Sequence, residues 1–100
     1  MVKITVLYGH PKNLAAFERY YGEVHMPLAA KIPGVRRIEL SKVTGTLDGT
    51  PPAYYRMGGL YFDNGAHIQE VMKTPEAQTA LADLANFATG GMTVLVSALH

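Results

Sequence analysis

The first segment of the chain alternates between apolar and polar side chains. Val2, Ile4, Val6 and Tyr8 fall on one face of an extended segment, which predicts a β-strand with one buried face. Gly9, His10 and Pro11 then end the strand.

The next apolar residues recur at helical spacing. Leu14, Phe17, Tyr21 and Val24 follow at intervals of three, four and three, which predicts one stripe of an amphipathic helix packed on the sheet. Asn13 precedes the stripe as a candidate N-cap. A proline biases the residue before it away from helical angles. Because Pro27 follows Met26, the helix is predicted to end near His25, with a Pro33-Gly34 turn beyond it.

The remaining pattern predicts two more strands, a broken helix and a last strand. The strands cover residues 35–44 and 54–62, joined by a hairpin loop over residues 45–53. The helical region, residues 64–88, is interrupted at Thr74-Pro75, since proline starts helices and interrupts their interiors. Its second piece carries an apolar stripe at Ala77, Leu81, Leu84 and Phe87 or Ala88, and residues 92–99 form the last strand.

The order strand, helix, strand, strand, helix, strand predicts a single domain over residues 1–100. It is the α+β, ferredoxin-like βαββαβ arrangement, a four-stranded antiparallel sheet with the helices on one face. Leu7, Leu95, Leu99 and the aromatic third strand also give the opposite sheet face an apolar character. Such a face marks an interaction surface, so we expect a homodimer through the open sheet face. A monomer with a partly apolar sheet is the alternative.

Charge and composition exclude several classes of partner. The formal net charge is +1 and the chain has no cysteine, so nothing favours nucleic acid, an anionic membrane or a thiolate site. The four histidines lack ligand spacing, which argues against a metal. No apolar run approaches the roughly 20 residues of a membrane span, and a cytoplasmic protein is expected.

The run from Tyr8 to Leu40, YGHPKNLAAFERYYGEVHMPLAAKIPGVRRIEL, followed by a YYRMGGLYF strand, resembles the EthD family. That family is named for a protein linked to ethyl tert-butyl ether degradation. The resemblance covers nearly the whole chain and implies a dimeric α+β barrel. Members of the wider group include cofactor-free monooxygenases, muconolactone-type isomerases and haem-binding enzymes, so the resemblance does not fix a reaction.

The resemblance also implies a pocket between the helices and the sheet that takes a small apolar or aromatic molecule. His25 matches the family's histidine in YYxxxHxPL and is the candidate catalytic acid or base, with Tyr21 beside it. The candidate substrate-binding residues are His10, Tyr20, Tyr55, Met57 and Tyr61.

The chemistry at this pocket stays open between two hypotheses. One is cofactor-free oxidoreductase (monooxygenase), isomerase or dehydratase chemistry with His25 as acid or base, since imidazole titrates near neutral pH. The other is a non-catalytic binding or accessory barrel, in which His25 only complements the helix dipole. No cofactor is expected, although one histidine would suffice as an axial haem ligand.

Overall fold

The computed structural model describes all 100 residues and has the predicted ferredoxin-like α+β fold. The four strands pair antiparallel in the order β2-β3-β1-β4. Their bounds are β1 Val2–Tyr8, β2 Arg37–Lys42, β3 Arg56–Phe62 and β4 Met92–Ala98. The helices are α1 Leu14–Tyr20, a π-helical segment Tyr21–His25, α2 Met26–Ala30, α3 Gly65–Val71 and α4 Pro75–Phe87. None of these helices combines the length and the apolar character that a membrane-spanning segment needs.

Local sequence signals set the helix starts. The Asn13 side chain accepts a hydrogen bond from the backbone N–H of Ala16, so the predicted N-cap of α1 is confirmed. Thr74 caps α4 in the same way and Pro75 occupies its first turn. The predicted break at Thr74-Pro75 is therefore confirmed, because threonine supplies an acceptor and proline needs no helical donor at that position.

The prediction that the first helix ends near His25 is wrong. The backbone N–H of Met26 bonds to the carbonyl of Tyr21, five residues back, and the helix continues through Pro27 to Ala30. In a regular α-helix the proline ring clashes with the carbonyl four residues earlier. The wider π turn just before Pro27 accommodates that ring, so the helix continues through the proline.

The π segment also changes which side chains face the sheet. Leu14 and Val24 were predicted to pack on the sheet, but they are 53% and 40% exposed. The buried positions recur instead at intervals of four: Phe17, Tyr21, His25 and Ala29. The extra residue in the π turn shifts the phase of the helix, so that His25 takes the buried position that a regular helix would give to Val24.

Helix α4 departs from its predicted stripe at three positions. Leu81, predicted on the buried stripe, is 42% exposed, whereas Ala80 and Asp83 are buried beside Leu84 and Phe87. Helix α4 contacts α2 and the π segment, and its buried apolar side chains belong to the same core clusters as the buried residues of β1 and β3. Asp83 is the charged residue on this buried face.

The helices cover the centre of the sheet but not its β4 edge. Ile4, Val6, Tyr8 and Phe62 are buried beneath the helices, whereas all seven residues of β4 are exposed. On the opposite face, which we call the open face, Leu7 pairs with Met57 across the β1–β3 ladder. The open face is thus apolar around the Leu7–Met57 pair and Leu95, beside the polar residues Lys3, Thr5, Glu39 and Ser41. Strand β4 exposes apolar side chains on both of its sides.

Candidate functional site

The π segment carries His25 to a carboxylate on α4. His25 Nδ1 lies 3.0 Å from Asp83 Oδ2, and the two residues are only 5% and 6% exposed. A carboxylate can only accept, so Nδ1 carries the hydrogen of this bond. The other ring nitrogen, Nε2, makes no hydrogen bond to a protein group. This arrangement fixes the imidazole orientation and leaves Nε2 as the nitrogen able to exchange a proton.

Two further donors hold the Asp83 carboxylate. Tyr20 donates its hydroxyl to Oδ1 at 2.6 Å, and the Asn86 side-chain amide donates to the same oxygen at 3.0 Å. Burial alone would raise the pKa of Asp83, but the hydrogen bonds from Tyr20, Asn86 and His25 outweigh it and leave the pKa below its ordinary value. Asp83 is therefore a carboxylate at neutral pH although it is buried.

Aromatic rings enclose the imidazole. The Phe87 ring lies 4.7 Å from the His25 ring between centroids, and Tyr21 stacks on His25 at 6.1 Å. Phe87 also packs against Tyr20, with ring centroids 5.3 Å apart. The polar array is thus inside an apolar shell, where its hydrogen bonds are stronger than in water.

Tyr21 points its hydroxyl toward the sheet. The residue is 2% exposed, and its hydroxyl is buried without a hydrogen-bond partner. Burial is the main cause that raises the pKa of Tyr21, so the hydroxyl stays protonated and can donate. It borders a small pocket of about 20 Å³ between the helices and the sheet, with Met26, Leu40 and Gly58 among the other lining residues.

His10 and Tyr55 lie at the end of β1 and before β3. His10 is exposed and its Nε2 lies 2.8 Å from the carbonyl of Pro52, which ties it to the β2–β3 loop. Tyr55 donates its hydroxyl to Glu18 at 2.5 Å, and Arg56 donates to the same carboxylate at 2.9 Å. Both predicted residues are thus used in contacts that hold loops and helix α1 in place.

Met57 and Tyr61 do not line one pocket with His25, contrary to the expectation. Both lie on the open face, because side chains alternate along β3 and the neighbouring Gly58, Leu60 and Phe62 face the helices. Tyr61 donates a hydrogen bond to Glu39 on the open face. The predicted binding residues are therefore divided between the two faces of the sheet.

Sequence reasoning missed Asp83 and Asn86. Asp83 lies three residues after Ala80 and four before Phe87, on the buried face of α4. A carboxylate on the apolar face of an amphipathic helix needs a partner, and that was the available signal. Asn86 follows three residues later, where it is exposed but within reach of the Asp83 carboxylate.

No three histidine or carboxylate side chains come together as a metal site. His25 also lines none of the chain's cavities, the largest of which holds about 230 Å³. Ligand pockets usually hold about 300–1,000 Å³, so the single chain does not offer His25 as an axial ligand in a haem-sized cavity.

The fold and this array define a small ferredoxin-like α+β protein with a buried histidine–carboxylate pair. Its sequence matches the EthD domain over residues 10–91, and the chain belongs to the EthD family. It is 43% identical over 95 residues to an uncharacterized 11.0 kDa protein of Rhodococcus erythropolis, encoded in the thcB-thcC intergenic region, covering 95% of this chain and 91% of that protein. The crystal structure of an EthD family protein from Bacillus halodurans superposes with a TM-score of 0.93 at 31% identity, covering 100% and 99% of the two chains.

More distant structures share the fold alone. A dimeric ferredoxin-like protein of unknown function from Thermobifida fusca has a TM-score of 0.71 at 16% identity, over 98% of this chain and 90% of that one. SnoaB, a cofactor-independent oxygenase from Streptomyces nogalater, has a TM-score of 0.65 at 12% identity, over 98% and 90%. The fold therefore occurs in dimers and in at least one enzyme that works without a cofactor.

Proposed function

We propose that this protein binds a small apolar or aromatic molecule between its helices and sheet and moves a proton on it through His25. The observation that carries the proposal is the buried His25–Asp83 pair, joined at 3.0 Å and held further by Tyr20 and Asn86. A histidine whose Nδ1–H is fixed by a carboxylate presents Nε2 as a general acid or base.

Tyr21 complements the histidine in this proposal. Its buried hydroxyl has a hydrogen to donate and no protein acceptor, so it can bond a substrate oxygen. Proton transfer combined with such a bond suits cofactor-free oxygenation, isomerisation or dehydration. Oxygenation without a cofactor has a precedent on this fold in SnoaB. The proposed chemistry needs neither a metal nor haem.

The proposal is tested by proton exchange on candidate substrates. The protein is incubated in D₂O with a panel of small aromatic ketones and phenols, and loss of substrate hydrogens is followed by ¹H NMR, with oxygen consumption measured in parallel. We expect catalysed exchange for at least one compound and a drop of about 10²–10⁴-fold in His25→Ala. His100→Ala is the matched control, because it removes an exposed histidine outside the site. A His25→Ala variant with wild-type turnover would refute the proposal.

A non-catalytic binding protein is the second candidate. It is favoured by the observation that His25 lines none of the cavities in the single chain. The pair would then only fasten the π segment to α4. In that case His25→Ala lowers stability and leaves ligand affinity unchanged, whereas the catalytic function requires loss of turnover in a protein that stays folded.

We also propose that two copies associate through their open sheet faces. Leu95 on β4 is 49% exposed on that face, near the Leu7–Met57 pair, and a relative with this fold is described as dimeric. Light scattering should give the mass of a dimer, and Leu95→Glu should shift it to a monomer. Leu14→Glu, on an exposed helix position away from the sheet, should remain dimeric. A monomeric wild type at micromolar concentration would overturn this interface.

A further inference from the structure

Gly58 occupies a position where the backbone does not require glycine. It pairs in regular register with Val6 on β1 and Leu40 on β2, and its φ is not positive. Glycine in the interior of a strand costs stability, because it loses more conformational freedom and has no side chain to pack. The reason for glycine must therefore lie in the space above it.

The Tyr21 hydroxyl lies in the space above Gly58. A Cβ added at Gly58 would lie 3.3 Å from the Tyr21 hydroxyl oxygen and 3.9 Å from Cδ2 of Leu40. The same hydroxyl is buried and has no partner in the protein. A buried hydroxyl without a partner is unfavourable, so the position points to a group from outside the chain.

The walls around the hydroxyl restrict what that group can be. Met26, Ile38 and Leu40 line the pocket together with two tyrosines, Tyr8 on β1 and Tyr21 on the helix. The Tyr21 hydroxyl is buried there without a partner in the protein. The volume of about 20 Å³ suits one water or a head group of a few atoms, since a single water needs about 10–15 Å³. An ionised head group would be disfavoured among these apolar walls.

Leu40 shows where the rest of a ligand would lie. It belongs to the edge strand β2 and is 46% exposed, so the pocket opens beside it. A ligand whose head reaches Gly58 would place its apolar body against Leu40 and Met26. Burial keeps the Tyr21 hydroxyl protonated by raising its pKa, which maintains it as a donor.

We propose that Gly58 is a specificity-determining residue that keeps this space open, and that the pocket takes the neutral head group of an apolar ligand with one acceptor oxygen, such as a ketone, bonded by Tyr21. The inference rests on the proposed function for the existence of a small-molecule ligand, and it adds the chemical class of the head group and the residue that admits it.

The test compares two probes of nearly equal shape. Acetophenone carries a carbonyl oxygen, and α-methylstyrene carries a methylene group in its place. Binding is followed by ¹H–¹⁵N NMR through the amides of Gly58 and Gly59. We expect acetophenone to bind more tightly than α-methylstyrene by about 2–10-fold, the worth of one hydrogen bond. Tyr21→Phe should remove that difference, and Gly58→Ala should abolish binding of both probes.

Matched variants separate loss of the pocket from loss of the fold. Gly45→Ala makes the same change where a Cβ meets nothing within 4 Å, and Tyr54→Phe removes an exposed hydroxyl. Both should bind acetophenone as the wild type does. Gly58→Ala should unfold within a few degrees of the wild type, because the added methyl needs only a shift of a few tenths of an ångström at Tyr21.

The inference is overturned if Gly58→Ala binds acetophenone like the wild type, or if the wild type binds both probes equally. It is also overturned if neither probe binds, which would leave a bound water as the only partner of Tyr21. His25→Ala distinguishes this inference from the proposed function. If His25→Ala binds acetophenone normally but catalyses hydrogen exchange more slowly, both the pocket inference and the proton-transfer proposal are supported. If it binds normally and exchange is unchanged, only the proton-transfer proposal is refuted.

Discussion

Asp83→Asn should reverse the tautomer of His25. In the wild type the carboxylate accepts from His25 Nδ1 at 3.0 Å and from the Tyr20 hydroxyl at 2.6 Å. An asparagine has one acceptor oxygen and one donor amide. If its oxygen keeps the shorter bond to Tyr20, its amide faces His25, and Nδ1 must lose its hydrogen to accept. The ring hydrogen then moves to Nε2.

The energetic cost follows from the same geometry. Hydrogen bonds to a charged group contribute about 1.5–3 kcal/mol each, and those between neutral groups about 0.5–1.5 kcal/mol. Neutralising Asp83 weakens three bonds but also removes the cost of burying a charge, so a net loss of about 1–2 kcal/mol is expected. In a domain of this size that lowers the unfolding temperature by about 5–15 °C.

The assay is long-range ¹H–¹⁵N correlation of the imidazole rings, recorded at a pH that keeps the ring neutral, with thermal unfolding in parallel. Asp63→Asn is the matched control, because Asp63 pairs with Arg36 at the surface, where the side chains are 49% and 60% exposed. It should cost less than about 1 kcal/mol. A wild-type His25 with its hydrogen on Nε2, or an unchanged tautomer in Asp83→Asn, would refute the reasoning.

Three further perturbations test the surroundings of the site. The hydrogen bond from Arg56 is the main cause that lowers the pKa of Glu18 from 4.5 to about 2. The associated stabilisation is at most about 2–3 kcal/mol after solvent screening; it is present above pH 4.5 and lost as the pH falls toward 2. In Glu18→Gln the free energy of unfolding, measured by urea titration, should therefore vary less with pH between 4.5 and 2. Phe87→Ala should cost about 3–5 kcal/mol in the same assay, because Phe87 is 5% exposed and packs on His25; a loss below about 1 kcal/mol would contradict that packing. Thr74→Ala should cost about 1 kcal/mol through the lost N-cap of α4 and Thr74→Ser should restore it, whereas equal stability of both variants would show that the cap contributes nothing.

The element order could be predicted from the sequence because its signals are local. Alternation along β1, the N-cap at Asn13 and the Thr74-Pro75 break each depend on a few neighbouring residues, and each is found in the structure. The division of Met57 and Tyr61 from His25 was also implicit in the period-two rule.

The histidine–carboxylate pair could not be predicted because it joins residues 58 apart in sequence. Its geometry depends on which side chains of two helices face the interior. In the first helix, a regular period of about 3.6 residues would turn Val24 inward instead of His25. The π turn is stabilised by its tertiary setting rather than by a strong local signal. The only local indication is Pro27, which destabilises a regular α-helix through the preceding turn by about 3 kcal/mol.

The same π turn accounts for both the placement of His25 and the tolerance of Pro27. The four buried positions are separated by four residues each: Phe17, Tyr21, His25 and Ala29. Removing one residue between Tyr21 and His25 would change these intervals to four, three and four, which is the stripe of a regular amphipathic helix. The segment therefore corresponds to a regular helix with one inserted residue.

Deletion of Gly22 tests this account, because Gly22 is exposed and a Cβ there would meet nothing within 4 Å. The shortened helix should keep its buried face and fold, but it would hold Pro27 inside a regular α-helix at a cost of about 3 kcal/mol. Adding Pro27→Ala should recover most of that loss, while Pro27→Ala alone should change stability little because the π turn already accommodates proline. Urea unfolding of the three variants gives their free energies of unfolding. Imidazole NMR shows whether His25 still forms its hydrogen bond with Asp83. If the Gly22 deletion with Pro27 in place is as stable as the wild type, accommodation of the proline does not explain the π turn.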